Sequence, residues 1–408
     1  MKLPRSRVLI PISVALIAIP ALQYVFNQKY SFPEPRPFMG SSLYNPYQHL
    51  DTSKWRVANF HAHTRCYAGL TNGASNLDKS LDTCYRYLNY DIIGISNYQS
   101  IDRYESLNKW FIPVYEHGYQ YYKNHQLVIN ARKVSWLDYV FRQTLSNKQT
   151  VINRLKKDKS AIVTLVHPVK RRAYSFKDLK YLGNYDCLEI ADNERVFTSY
   201  YDTILSAGHP VFLMANDDTH DLSKPGDMCH SFNVINSDLN RDSILHAIKT
   251  GCLFGVDLIG NSNNSLQEKR NEIHKLPEIK SVVVKNETLS ICLSKPVRTI
   301  KFIGQNGILK KRIINSATGS YAFTPQDTYI RSEIECPDGT LFYLNPVFRY
   351  NGSLSSVRLP VKDRFTTWGS VTFLSIVLLF PFTRLIRRRY NSKSKVMIEL
   401  SPDSNIST

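Results

Sequence analysis

The sequence predicts an α/β chain in which a barrel of alternating strands and helices is followed by a small antiparallel β-sandwich, with a transmembrane helix on either side. Three observations carry that expectation. Short apolar runs that end in polar groups recur between residues 55 and 220. Short β-rich runs broken by turn signals follow between residues 279 and 350. A long apolar segment stands near each end of the chain.

The first apolar segment, residues 8–26, follows Lys2, Arg5 and Arg7 and contains only Ser13 and Gln23 as small polar interruptions. At 1.5 Å per residue it reaches roughly 28 Å, enough for a bilayer core. It lacks a small-x-small cleavage site and is long for a signal core, so residues 1–28 read as an anchor. Residues 29–54, with Pro33, Pro35, Pro37 and Pro46, read as an extended tether.

Residues 55–260 carry the expected barrel. Trp55-Arg56-Val57-Ala58-Asn59-Phe60 leads into His61-Ala62-His63-Thr64. Residues 91–96 lead into Asn97-Tyr98, 127–131 into Arg132, and 161–166 into His167-Pro168. Residues 187–190 precede Ala191-Asp192-Asn193, and 210–215 lead into Asn216-Asp217-Asp218-Thr219-His220. Apolar runs without alternation suit strands buried on both faces. Residues 79–88 and 151–159 have the length for crossover helices. A barrel gathers one active site from polar groups at the C-terminal ends of its strands. His61 and His63, one residue apart at a strand end, project the same way and suit a divalent metal bound by neutral imidazoles.

Residues 261–278, rich in Asn, Ser and charge, read as a linker. Residues 279–360 read as the β-sandwich, with Pro337-Asp338-Gly339-Thr340 as a hairpin turn. Residues 365–383 form the second expected span, with Trp368 near one interface and Arg384, Arg387, Arg388 and Arg389 beyond the other. Basic flanks outside both spans would put both termini in the cytoplasm and the main domains in the periplasm or exterior. The tail, residues 384–408, is polar and basic.

The motifs His61-Ala62-His63-Thr64, Val166-His167-Pro168 and Asp218-Thr219-His220 resemble, in order and spacing, those of the polymerase and histidinol phosphatase (PHP) superfamily. Residues 242–251 resemble the helix that closes such domains. The resemblance covers residues 55–258 and implies a distorted seven-stranded β/α barrel. It also implies two or three divalent metals and hydrolysis of phosphate esters by a metal-bound hydroxide.

The chain departs from that pattern. Asn72-Gly73 stands for the usual Asp-Gly and Asn97-Tyr98 for Asp-His. Arg132 falls where a bridging Glu is usual, and no histidine lies between it and His167. The resemblance therefore implies one surviving metal site, His61, His63 and Asp218, for a single divalent ion of Zn, Mn or Fe. In such a site His167 or His220 could act as the acid for the leaving group, and Arg132, with Lys170 and Arg171, could replace the missing metals as clamps on phosphate. The alternative is an inactive module in which Arg132 fills the metal cavity and the domain binds an anionic ligand or an envelope partner.

Net charge is +18; removing three charges from residues 1–28 and four from 384–408 leaves +11 between them. That excess favours anionic or phosphorylated ligands. No nucleic-acid-binding motif accompanies it, so nucleic acid is not an expected partner, and protein partners are undefined. Two spans without buried charge make no transport pathway. Seven cysteines, an odd number, exclude a dense disulfide framework and leave Cys292 and Cys336 as one pair that an oxidising compartment could join.

Overall fold

A computed structural model describes residues 20, 22–192, 196–258, 264–354, 358–376, 380, 383–384 and 387. The first strands are β1 (Lys29–Ser31), β2 (Ser42–Tyr44), β3 (Trp55–Asn59), β4 (Ile92–Ile93), β5 (Val114–His117) and β6 (Gln126–Ile129). Next come β7 (Ile162–Leu165), β8 (Cys187–Ala191), β9 (Phe212–Ala215), β10 (Ser231–Asn236) and β11 (Leu253–Asp257). The last are β12 (Ile279–Lys285), β13 (Thr288–Gly304), β14 (Ile308–Ala322), β15 (Tyr329–Glu335), β16 (Leu341–Tyr350) and β17 (Val361–Asp363).

The chain divides into two units, one of them Phe32–Val361 and the other taking the described residues up to Ser31 and from Lys362 onward. In the terminal unit β1 pairs with β17. A helix over residues 364–376 starts there, and Thr366 N donates to Asp363 Oδ1 at 2.9 Å as its cap.

Phe32–Val361 contains a ten-stranded and a five-stranded sheet, not the closed (β/α)7 barrel that the alternating pattern predicts. The small sheet runs β5-β6-β7-β8-β9. Its parallel pairs, β7 with β8 and β8 with β9, each have a crossover helix, Phe176–Tyr181 and Thr198–Ser206. The alternation fails at β5 and β6, an antiparallel pair whose connection, 118–125, forms no helix among the described residues. It fails again where β10 pairs antiparallel with both β3 and β11.

The large sheet runs β12-β13-β15-β16-β11-β10-β3-β4, with β14 beside β13 and β2 beside β16. Among the described residues the later strands form no separate β-sandwich, because β11 pairs with β16 from Phe254↔Leu344 to Asp257↔Leu341 and they extend the same sheet. Ile291, Ile300, Phe302, Ile334 and Phe342 are buried along it. The expected linker holds a helix, Leu266–Lys275, opened by a Ser265 capping box. Its fully buried Lys269 donates to the carbonyls of Pro225 and Met228. The expected tether is packed from β2 onward, where the Tyr47 hydroxyl donates to Leu253 O at 2.7 Å. All seven cysteines are free, so Cys292 and Cys336 are not joined.

The expected membrane topology is also corrected. The structure does not bear out the two expected spans: among the described residues no helix is long and apolar enough to cross a membrane. Residues 8–19 and 21 of the first expected span, 377–379 and 381–382 of the second, and most of the tail lie outside the described residues, as does Asn193.

Candidate metal centre

Strand ends from the two sheets meet at two isolated bridges, Ala62↔Thr219 and Tyr98↔Glu116, and the site is built around them. His63 N donates to Thr219 O at 2.8 Å, so His61 and His63, alternating about Ala62, are held beside Asp218 and His220. Glu116 N is 3.2 Å from Ser96 O, and Ser96 N donates to Ala62 O, which ties β5 into the same frame. Asn59 fixes the base of the site: its Nδ2 donates to His61 O, and Asp217 N donates to its Oδ1. Gly73, at φ +90°, allows its loop to pack behind His63, where an added Cβ would meet His63 Cβ at 2.8 Å.

Four buried ligand atoms converge. His61 Nε2 lies 3.0 Å from Asp218 Oδ1 and 3.6 Å from Glu116 Oε2. His63 Nε2 lies 3.2 Å from Glu116 Oε2 and 3.3 Å from Asp218 Oδ1. All four atoms lack a hydrogen-bond partner. A tetrahedral ion with ligands near 2.0–2.1 Å needs edges of about 3.3 Å, which these distances bracket. These buried groups could therefore hold a metal ion.

Glu116 serves a second group through its other oxygen. Oε1 lies 3.0 Å from His167 Nε2 and in hydrogen-bond contact with His125 Nδ1. His125 Nε2 and His167 Nδ1 are themselves buried without partners. Behind the first group, the fully buried Glu189 takes a hydrogen bond from His61 Nδ1 at 3.0 Å, which turns Nε2 toward Asp218. Asn216 Nδ2 and His167 N complete the Glu189 carboxylate, both at 2.9 Å. His167 and Asp218 sit at φ +31° and +52°, left-handed conformations held by this network.

The electrostatics follow from burial set against pairing. Burial alone would raise Glu116 and Asp218, but the surrounding histidines, with Lys170 beside Asp218, hold both well below the usual carboxylate range. Burial would lower His61, but Asp218, Glu189 and Glu116 outweigh it and hold the imidazole well above its ordinary value. His125 is pushed down to about 4 by burial, against the pull of Glu116.

His63 is sandwiched between the rings of Tyr98 and His220, at 4.4 and 4.5 Å. His220 Nδ1 donates to Asp218 O, leaving Nε2 to accept from the Tyr98 hydroxyl at 3.1 Å. Lys170 Nζ donates to Asp218 Oδ2 at 2.9 Å, and Lys123 Nζ stands 5.1 Å from the Tyr98 ring centre.

The residues expected from sequence do not all meet here. His61, His63, Asp218, His167, His220 and Lys170 gather at the centre. Arg171 is exposed at its edge, its guanidinium 4.2 Å over the Tyr121 ring. Arg132 is elsewhere, 78% exposed with its Nε 3.6 Å from Asp158. The physical reason is strand direction. β6 runs antiparallel to β7, so the residues before β6 face the centre and those after it do not. Sequence reasoning missed His125 for that reason, and missed Glu116 because its strand, Val-Tyr-Glu-His, carries no apolar run. The signal available was His125 two residues ahead of the apolar run 127–131, and Glu116-His117 closing a four-residue strand.

No protein-family model and no curated protein matches the chain.

Proposed function

We propose that the chain is a metal-dependent phosphoesterase-like protein of the PHP type, acting on an anionic, phosphorylated substrate. The observation that carries this reading is Glu116, whose two oxygens each address a separate set of buried imidazoles. His61, His63, Glu116 and Asp218 would hold one divalent ion, and Zn, Mn and Fe all suit imidazole with carboxylate. Glu116, His125 and His167 offer a second position. A divalent ion supplies Lewis acidity toward a phosphoryl oxygen and lowers the pKa of a water it binds.

The chain's own groups do the remaining work. Lys170 and Lys123 bring ammonium groups beside the cluster to bind non-bridging phosphate oxygens. The hydrogen-bonded pair of Tyr98 and His220 is assigned to protonate the leaving oxygen. His167, expected as an acid, is reassigned as a ligand because its Nε2 is committed to Glu116.

A second reading, an anion-binding module without turnover, is favoured by one contact. The Lys170 ammonium already neutralises Asp218, and a cation so close weakens that carboxylate as a metal ligand. Metal analysis of the full chain, paired with hydrolysis of nitrophenyl phosphate, separates the two. Metal-dependent hydrolysis that is lost in the His61→Ala, His63→Ala double variant supports the phosphoesterase. Bound metal without hydrolysis supports the binding module, and absence of metal from the wild type overturns the metal centre.

A further inference from the structure

A cationic hollow of about 670 Å³ opens at the end of the small sheet opposite the metal centre. β6 and β7 pair with Gln126 opposite Leu165 at one end and Ile129 opposite Ile162 at the other. His125 and His167 extend from the first end, whereas Arg132 and Ala161 lie beyond the second. Four residues of strand, roughly 10–13 Å, separate the two ends.

The floor of the hollow is apolar, formed by Tyr115, Val128, Ala131 and Leu155, each at most 5% exposed. Its rim carries Arg132, Lys133, Arg154, Lys157 and Lys159 against a single carboxylate, Asp158. That carboxylate is itself engaged, accepting from Ser160 N at 3.0 Å and Ser160 Oγ at 2.6 Å. Crowded cations repel one another unless an anion lies among them. An apolar floor under such a rim fits a molecule with two unlike parts.

We propose that this hollow binds an organic anion, an apolar ring or chain bearing a sulfate, phosphate or carboxylate head, at a site separate from the metal centre. The apolar body lies on Tyr115, Val128 and Leu155, and the head lies among the rim cations.

The test is calorimetric titration of the full chain with naphthalene sulfonate, which has both parts and resists hydrolysis. Naphthol and inorganic sulfate present each part alone. One equivalent of naphthalene sulfonate is expected to bind, with both partial probes weaker by about tenfold or more. The Arg132→Glu, Lys133→Glu double variant changes two exposed side chains and should weaken binding by at least about tenfold without altering the circular dichroism of the fold. The His61→Ala, His63→Ala variant should bind as the wild type does.

Equal affinity for naphthol would make the rim irrelevant, and equal affinity for sulfate would make the floor irrelevant. Either result overturns the proposal. So does unchanged affinity in the charge-reversed variant, or loss of binding in the His61, His63 variant, which would place the probe at the metal centre.

Discussion

Glu116 Oε2 lies 3.2 Å from His63 Nε2, and neither atom makes a hydrogen bond although both are buried. Each buried polar atom left unsatisfied costs about 1–3 kcal/mol, so the cluster is destabilising unless something satisfies it. An ion that binds only the folded chain adds stability by mass action. Chelation with EDTA should therefore lower the thermal midpoint of the full chain by several degrees. Glu116→Gln, isosteric but uncharged, should retain less than half of the bound metal and lose that response. Plasma mass spectrometry and a thermal scan read both quantities.

Glu189 touches no ligand atom that faces the cluster, yet it orients His61 through Nδ1. Removing an outer carboxylate of this kind typically weakens metal binding about 10–100-fold. Glu189→Gln keeps the shape and a hydrogen-bonding oxygen, and should weaken metal affinity less than Glu189→Ala does. Competition with a chelator of known affinity ranks the two variants. Equal affinities for both would make Glu189 a packing residue only.

The legible part of the site was the part encoded locally. His61 and His63 share a face because side chains alternate along a strand, and that is visible in four residues. Asp218-Thr219-His220 follows an apolar run in the same way. Glu116 was hidden because β5 is Val-Tyr-Glu-His, buried throughout yet half ionisable, so no apolar run marks it. His125 was hidden because strand direction is a tertiary property. An antiparallel β6 exchanges its two ends and places Arg132 where no sequence pattern could. The same blindness produced the expectation of a closed barrel, since β6, antiparallel to both its neighbours, carries an apolar run like those of the parallel strands. Sheet continuity between β11 and β16 likewise depends on a pairing across more than eighty residues.

Lys170 and Arg132, both expected as phosphate clamps, should now behave differently. Lys170 Nζ is 2.9 Å from Asp218 Oδ2, whereas Arg132 rims a hollow at the far end of the sheet. Under the proposed function, Lys170→Met removes one charge-assisted contact and should raise KM about tenfold. Arg132→Ala should leave kcat and KM within about twofold of the wild type. Steady-state kinetics on one phosphate ester decides it, and a matching loss in both variants would contradict the placement of Arg132.

His230 offers a pH test outside the metal cluster. Its Nδ1 lies 3.1 Å from Asp257 Oδ1, with Asp217 and Lys269 as the other charged groups nearby. Burial lowers the affinity of the ring for a proton, but Asp257 and Asp217 outweigh burial and Lys269 together, and the pKa is raised above 6.5. The folded chain thus binds this proton more tightly than the unfolded chain does. The resulting stabilisation is fully present below the unfolded value of about 6.5 and is lost as pH rises through the raised folded value. His230→Gln should therefore destabilise by about 1 kcal/mol at pH about 5.5 and by much less at pH about 9. Urea unfolding at the two pH values measures the difference. A larger loss at the higher pH would reverse the sign and mean that the neutral ring is the form the fold prefers.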